Sequence, residues 1–95
     1  MPETMVASVA SAWVQAVGSG DVARVQPLLP AECQQSAADA IASGLRWIEH
    51  DLADIDVTIE GDHAEARLPA SMSGPGTTSL DLRQRADGIW EVFPC

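Results

Sequence analysis

The sequence predicts an α+β domain: three N-terminal helices packed on an antiparallel sheet of about four strands. Three observations predict it. Apolar residues recur at spacings of three and four through the first fifty residues, as in amphipathic helices. From residue 54 the period changes to two, as in half-buried strands. Two turn signals, Gly61-Asp62 and Asp87-Gly88, each divide a pair of such runs, as hairpin turns do. The 95 residues make one domain, residues 1–95, and 46% hydrophobic with 20% charged is ordinary globular composition.

The first helix covers residues 4–17. Val6, Val9, Ala10, Trp13, Val14 and Val17 form one apolar stripe, Glu3 or Thr4 serves the N-terminal end, and Gly18 fits the stop. Asp21 is placed to cap a second helix, its carboxylate accepting from the free amides of the next turn. Val22, Val25, Leu28 and Leu29 follow, and Pro27 and Pro30 keep this helix short. A third helix is expected after AECQQ, with Ser36 and Asp39 as a variant capping box. Ile41, Leu45, Ile48 and Leu52 mark its buried face, to about residue 50.

In the strand half, IDVTIE alternates Ile55, Val57 and Ile59 against Asp56, Thr58 and Glu60. Folding at Gly61-Asp62 sets Ile59 opposite Ala64, Val57 opposite Ala66 and Ile55 opposite Leu68, while Asp56 faces Arg67 on the other side. A slip of one residue would invert both faces, so the register is specified. SMSGPGTTS, residues 71–79, reads as a strand-to-strand connection, with a lid over a cavity as the functional alternative. In the last hairpin a loop of Asp87-Gly88 alone would turn Glu91 inward. A loop of Ala86-Asp87-Gly88 with Gly88 left-handed pairs Leu82 with Val92 and Arg83 with Glu91 instead. The second register buries Leu80, Leu82, Trp90 and Val92 together. Burying an unpaired carboxylate costs several kcal/mol, which decides for it.

Fourteen Asp and Glu against five Arg and no Lys give a net charge of −9. Such a field repels phosphate backbones and anionic lipid, so neither nucleic acid nor membrane is an expected partner. Without Lys there is no Schiff base and no P-loop lysine; without Tyr there is no phenolic acid. MPETMVASVASAW lacks a basic n-region and reads as an amphipathic helix, not a secretory signal, which predicts a cytoplasmic location. No run of about 18 apolar residues occurs. Cys33 and Cys95 have neither CxxC nor metal spacing. They are two unpaired thiols, or one disulfide tying the C-terminus to the helical half.

The stripe through Trp13, the segment AVGSGDVARVQPLL and the closing LDLRQRADGIWEV together resemble the nuclear-transport-factor-2-like superfamily, the NTF2-like or SnoaL-like α+β folds. The resemblance spans nearly the whole chain and implies a cystatin-like cone, in which the sheet is curved around an interior. The sequence is similar above all to small actinobacterial lumazine-binding-like domains, many of them carried outside the membrane. Cys33 in LLPAEC and Cys95 in WEVFPC match the positions of a cysteine pair in that branch. The resemblance therefore implies a Cys33–Cys95 disulfide in an extracytoplasmic domain as the alternative to two thiols in the cytoplasm. Closing a loop of that size would contribute about 4 kcal/mol through chain entropy.

Enzymes of the superfamily set an Asp or His inside the cone. The inward positions here are Ile55, Val57, Ile59, Ala64, Ala66, Leu68, Leu80, Leu82, Gln84, Trp90 and Val92. Only Gln84 is polar, and it is neither acid nor base. This predicts a non-catalytic domain binding a small apolar ligand or a protein partner. Trp13, Trp47, Met72, Gln84 and Trp90 are the candidate ligand contacts, each with core packing as its structural alternative. A small cyclase, isomerase or hydrolase is the alternative, with His50 as base and Asp51 or Asp54 as its orienter at the end of helix 3. Against it stands a His exposed at a helix C-terminus. Ser8, Ser11 and Ser19 lie near no convincing base. Glu49, Asp51, Asp54 and Asp56 read as a solvated acidic rim without EF-hand or zinc spacing, so no metal and no cofactor is expected. On the outer sheet face, Arg67, Arg83, Arg85, Ile89 and Phe93 suit a sheet-to-sheet homodimer.

Overall fold

The computed structural model describes residues 2–93, apart from the side chain of Gln34. Helix α1 runs Pro2–Gly18. Its stripe is the one expected: Val6, Ala10, Trp13, Val14 and Val17 are buried, and Val9 packs half-buried beside them. The Asp21 carboxylate accepts from the Ala23 amide at 3.0 Å and starts the single turn of α2, Val22–Val25. Pro27 converts the continuation into a 3₁₀ turn, Gln26–Leu28, and a second 3₁₀ turn spans Ala31–Ser36.

Helix α3 departs from expectation. It covers only Ala37–Ala42, and Ser36 makes no side-chain cap bond. The apolar period continues past it, but Gly44 stops it. With φ at +76°, Gly44 takes the left-handed position that closes a helix C-terminus, and its amide reaches back to Ile41 O. The chain then runs extended, and the Arg46 amide donates to Met72 O at 3.0 Å. Ile48 and Leu52 are exposed as a result. A 3₁₀ turn, Leu52–Asp54, leads into the sheet.

Strands β1 (Asp56–Glu60), β2 (His63–Arg67), β3 (Ser79–Gln84) and β4 (Trp90–Val92) form an antiparallel meander in the order β1-β2-β3-β4. The first hairpin pairs Ile59 with Ala64 and Val57 with Ala66. The last pairs Leu82 with Val92 and Arg83 with Glu91, and Gly88 is left-handed at φ +86°. Both registers are those expected. Ala64, Ala66, Leu80, Leu82, Trp90 and Val92 are buried on one face, where α1 packs across β1, β2 and β4. Two refinements follow from the strand ends. Gln84 has inward parity but lies past the helical cover; it is exposed and its amide donates to Gly88 O at 3.1 Å. Glu91 has outward parity yet is buried, beside a hollow that it shares with Pro27, Leu29, Pro30, Ala31, Glu32 and the arginines of β3 and the turn.

Among the described residues no helix is long and apolar enough to cross a membrane.

Candidate functional site

The early end of α3 shapes the interior. Because the chain turns back at Gly44, Leu45 is buried and a cleft of about 250 Å³ remains between α3 and the sheet. Its walls are the buried Trp13, Leu29, Leu45, Leu80 and Val92. Ser36, Asp39, Ala40, Ser43 and Thr77 form the more exposed rim. Ser43 Oγ is already committed to Ala40 O at 2.6 Å. Such a lining can hold apolar surface and offer a few hydrogen bonds at the mouth, and its walls offer no group to move a proton.

His50 lies elsewhere, on the extended stretch beyond α3. Its Nδ1 is 2.7 Å from Ile48 O, which can only accept, so Nδ1 carries the proton. Nε2 is 3.2 Å from Ser11 Oγ on α1, and the ring meets Trp47 edge-on with centroids 4.9 Å apart. In the neutral tautomer with the proton on Nδ1, Nε2 is the ring atom left to accept from the Ser11 hydroxyl. Sequence spacing gave no sign of this pair, whose members lie 39 positions apart. It has the donor order of a serine–histidine dyad. Ser11, however, sits inside α1, where the backbone amides serve the helix ladder and cannot stabilise an oxyanion. Asp51 and Asp54 are not its orienters: Asp54 Oδ2 accepts from the Asp51 amide at 3.2 Å, and both side chains are exposed.

The expected ligand contacts do not converge. Trp13 lines the cleft; Trp90 is buried beside a separate hollow with Val9, Leu28 and Ile89; Trp47 is 41% exposed on a groove at the end of α1. Met72 is fully buried and closes no mouth, since the turn from Pro69 tucks it into the core, with its amide bonded to Pro69 O at 2.9 Å. Gln84 faces solvent. Among the described residues no three His, Cys, Asp or Glu side chains converge as metal ligands.

On the outer sheet face the arginines are committed within the chain. Arg67 Nε lies 3.5 Å from Glu65. Arg83 donates to Glu91 at 2.9 Å and to Glu32, and its guanidinium covers the Phe93 ring at 4.2 Å. Arg85 pairs with Asp87 and lies 3.9 Å from Glu91. These bonds raise both guanidinium pKa values, through Glu91 and then Glu32 for Arg83, and through Asp87 for Arg85. Arg85 and then the Ile89 amide hold Asp87 below the usual carboxylate range; backbone hydrogen bonding and then Arg83 do the same for Glu32. Ile89 is half exposed.

Cys33 is fully buried among the helical core residues. Cys95, its partner in the disulfide alternative, lies outside the described residues.

No family model matches this chain, and no curated protein matches it either. The fold itself defines the class: an α+β domain with one long helix packed on a four-strand antiparallel meander and shorter helical turns between them in sequence.

Proposed function

We propose that this chain is a small NTF2-like domain that binds a compact apolar molecule in the cleft between α3 and the sheet, without transforming it. The observation that carries the proposal is the composition of the cleft: five buried apolar walls around about 250 Å³. That volume lies just below the roughly 300–1,000 Å³ of sites for drug-sized ligands, so the ligand is small. The buried carboxylate, Glu91, faces the other side of the sheet and is held by Arg83. The order of long helix, capped short helix and meander supports the superfamily reading, with α3 cut short at one end of the cone. The pairing of Cys33 with Cys95 that the resemblance implies is part of the same proposal. Intact mass with and without reductant tests the pair: the oxidised chain is lighter by two hydrogens.

The cleft is tested by following the methyl resonances of Leu80 and Val92 while benzene, then cyclohexanol, is added. Saturable shifts confined to the cleft are expected, and they vanish in Ala40→Trp, which fills the rim. Shifts that survive in Ala40→Trp, or no shifts in the wild-type chain, would refute the proposal.

A further inference from the structure

The five arginines divide into two groups. Arg67, Arg83 and Arg85 each have a carboxylate within 4.0 Å. Arg24 and Arg46 have none among the described residues, and both are exposed. In a chain with fourteen acids, two unpaired guanidinium groups are the exception. They are brought together from different elements, α2 and the extended stretch after Gly44, on one groove of about 700 Å³.

Trp47 and Ile48 line the same groove, 41% and 40% exposed. The Trp47 main chain packs closely on α1, where a Cβ on Gly18 would lie 3.1 Å from the Trp47 nitrogen, and the indole meets edge-on the His50 ring, itself bonded to Ser11 and Ile48 O. The nearby carbonyl end of α1, which would repel an anion, is blunted: the Ser19 hydroxyl donates to Ala16 O at 2.6 Å and the Gly20 amide to Val17 O at 3.1 Å.

We infer that this groove is a second binding site, specific for a small organic anion with a flat apolar body. Its carboxylate or phosphate takes charge-assisted hydrogen bonds from Arg24 and Arg46, and its ring packs on Trp47 and Ile48. The acidic exterior elsewhere leaves this groove as the place where such an anion is not repelled.

The test is a titration of the wild-type chain with naphthoate, naphthyl phosphate, uncharged naphthol and inorganic phosphate, read from the Trp47 indole resonance assigned with Trp47→Phe. Saturable shifts are expected with the two aromatic anions, and comparison of those two arms identifies the preferred headgroup. Naphthol binds at least tenfold more weakly, and added salt weakens the anions. Arg24→Gln and Arg46→Gln each weaken them roughly tenfold, the scale of one charge-assisted hydrogen bond. Both side chains lack internal ion pairs, so melting temperatures should hold; if a variant unfolds, the naphthol and salt arms on the wild-type chain still decide. Equal binding of naphthol and naphthoate, unchanged affinity in the folded arginine variants, or inorganic phosphate alone matching the aromatic anions overturns the inference. Ala40→Trp leaves this site intact, which separates it from the cleft.

Discussion

A Cβ built on Gly74 would lie 2.0 Å from the Ser43 carbonyl oxygen, 2.8 Å from the Gly44 carbonyl carbon and 3.0 Å from the Leu45 nitrogen. All three are backbone atoms, so no side chain can swing aside. Gly74→Ala must push residues 43–45 away from the 71–79 loop, and those residues form one end of the cleft. It is expected to destabilise the fold by about 1–3 kcal/mol in urea unfolding, the range for overpacking, and to loosen cleft binding as well. Gly76 supplies the control. An added Cβ there meets nothing, but φ is +80°, so Gly76→Ala carries only the left-handed penalty of roughly 1 kcal/mol and leaves binding unchanged. If the two variants lose equal stability, the close approach at Gly74 is not what holds the loop.

The β3–β4 hairpin has an ionic layer on its outer side and an apolar layer beneath. Asp87 and Glu32 have pKa values lowered by their partners, so the stability they add is full above the ordinary carboxylate range. It is lost as pH falls through the lowered values. Melting temperature should therefore stay level from neutrality down to that range and then drop. Asp87→Asn should start lower and drop less, and salt should reduce the difference, because both acids are exposed. Arg83→Met removes the hydrogen bond to the buried Glu91, leaving it Arg85 at 3.9 Å, and should cost more than the double variant with Glu91→Leu, a comparison that denaturation of all four chains settles. Both hairpin registers were legible in the sequence because alternation and turn chemistry agreed at each one, as with Ile59 opposite Ala64 and Gly88 in the turn. The end of α3 was not. Ile48 and Leu52 prolonged a helical period that Gly44 interrupts, and the contacts that enforce the stop come from Met72, Gly74 and Pro75, about thirty residues onward. The cleft follows from that stop, and the Ser11–His50 pair joins α1 to the stretch beyond it, so neither was visible in local pattern. Gln84 was misplaced for a smaller reason: parity gives a face, but not where the helical cover ends.

Over the whole molecule, charge decides how the outer sheet face can be used. The composition suggested a homodimer through Arg67, Arg83, Arg85, Ile89 and Phe93, but all three arginines have partners in their own chain. Their remaining N–H groups could reach a second copy, but a guanidinium whose charge is already paired within the chain gains little from a further exposed carboxylate. A stable interface buries about 800 Å² on each partner, roughly one seventh of the 5460 Å² this chain exposes. Among the described residues, exposed apolar surface on this face comes to Ile89 and part of Phe93, while Asp56, Asp81 and Glu65 add negative charge that a self-complementary contact would have to pair. At a net charge of −9 the two chains also repel at long range. Sedimentation at micromolar concentration is therefore expected to show a monomer at low salt, and Ile89→Glu should leave the profile unchanged. A dimer in the wild-type chain that Ile89→Glu dissolves would mean that packing at this one residue outweighs the charge, and would return the outer face to the role its composition first suggested.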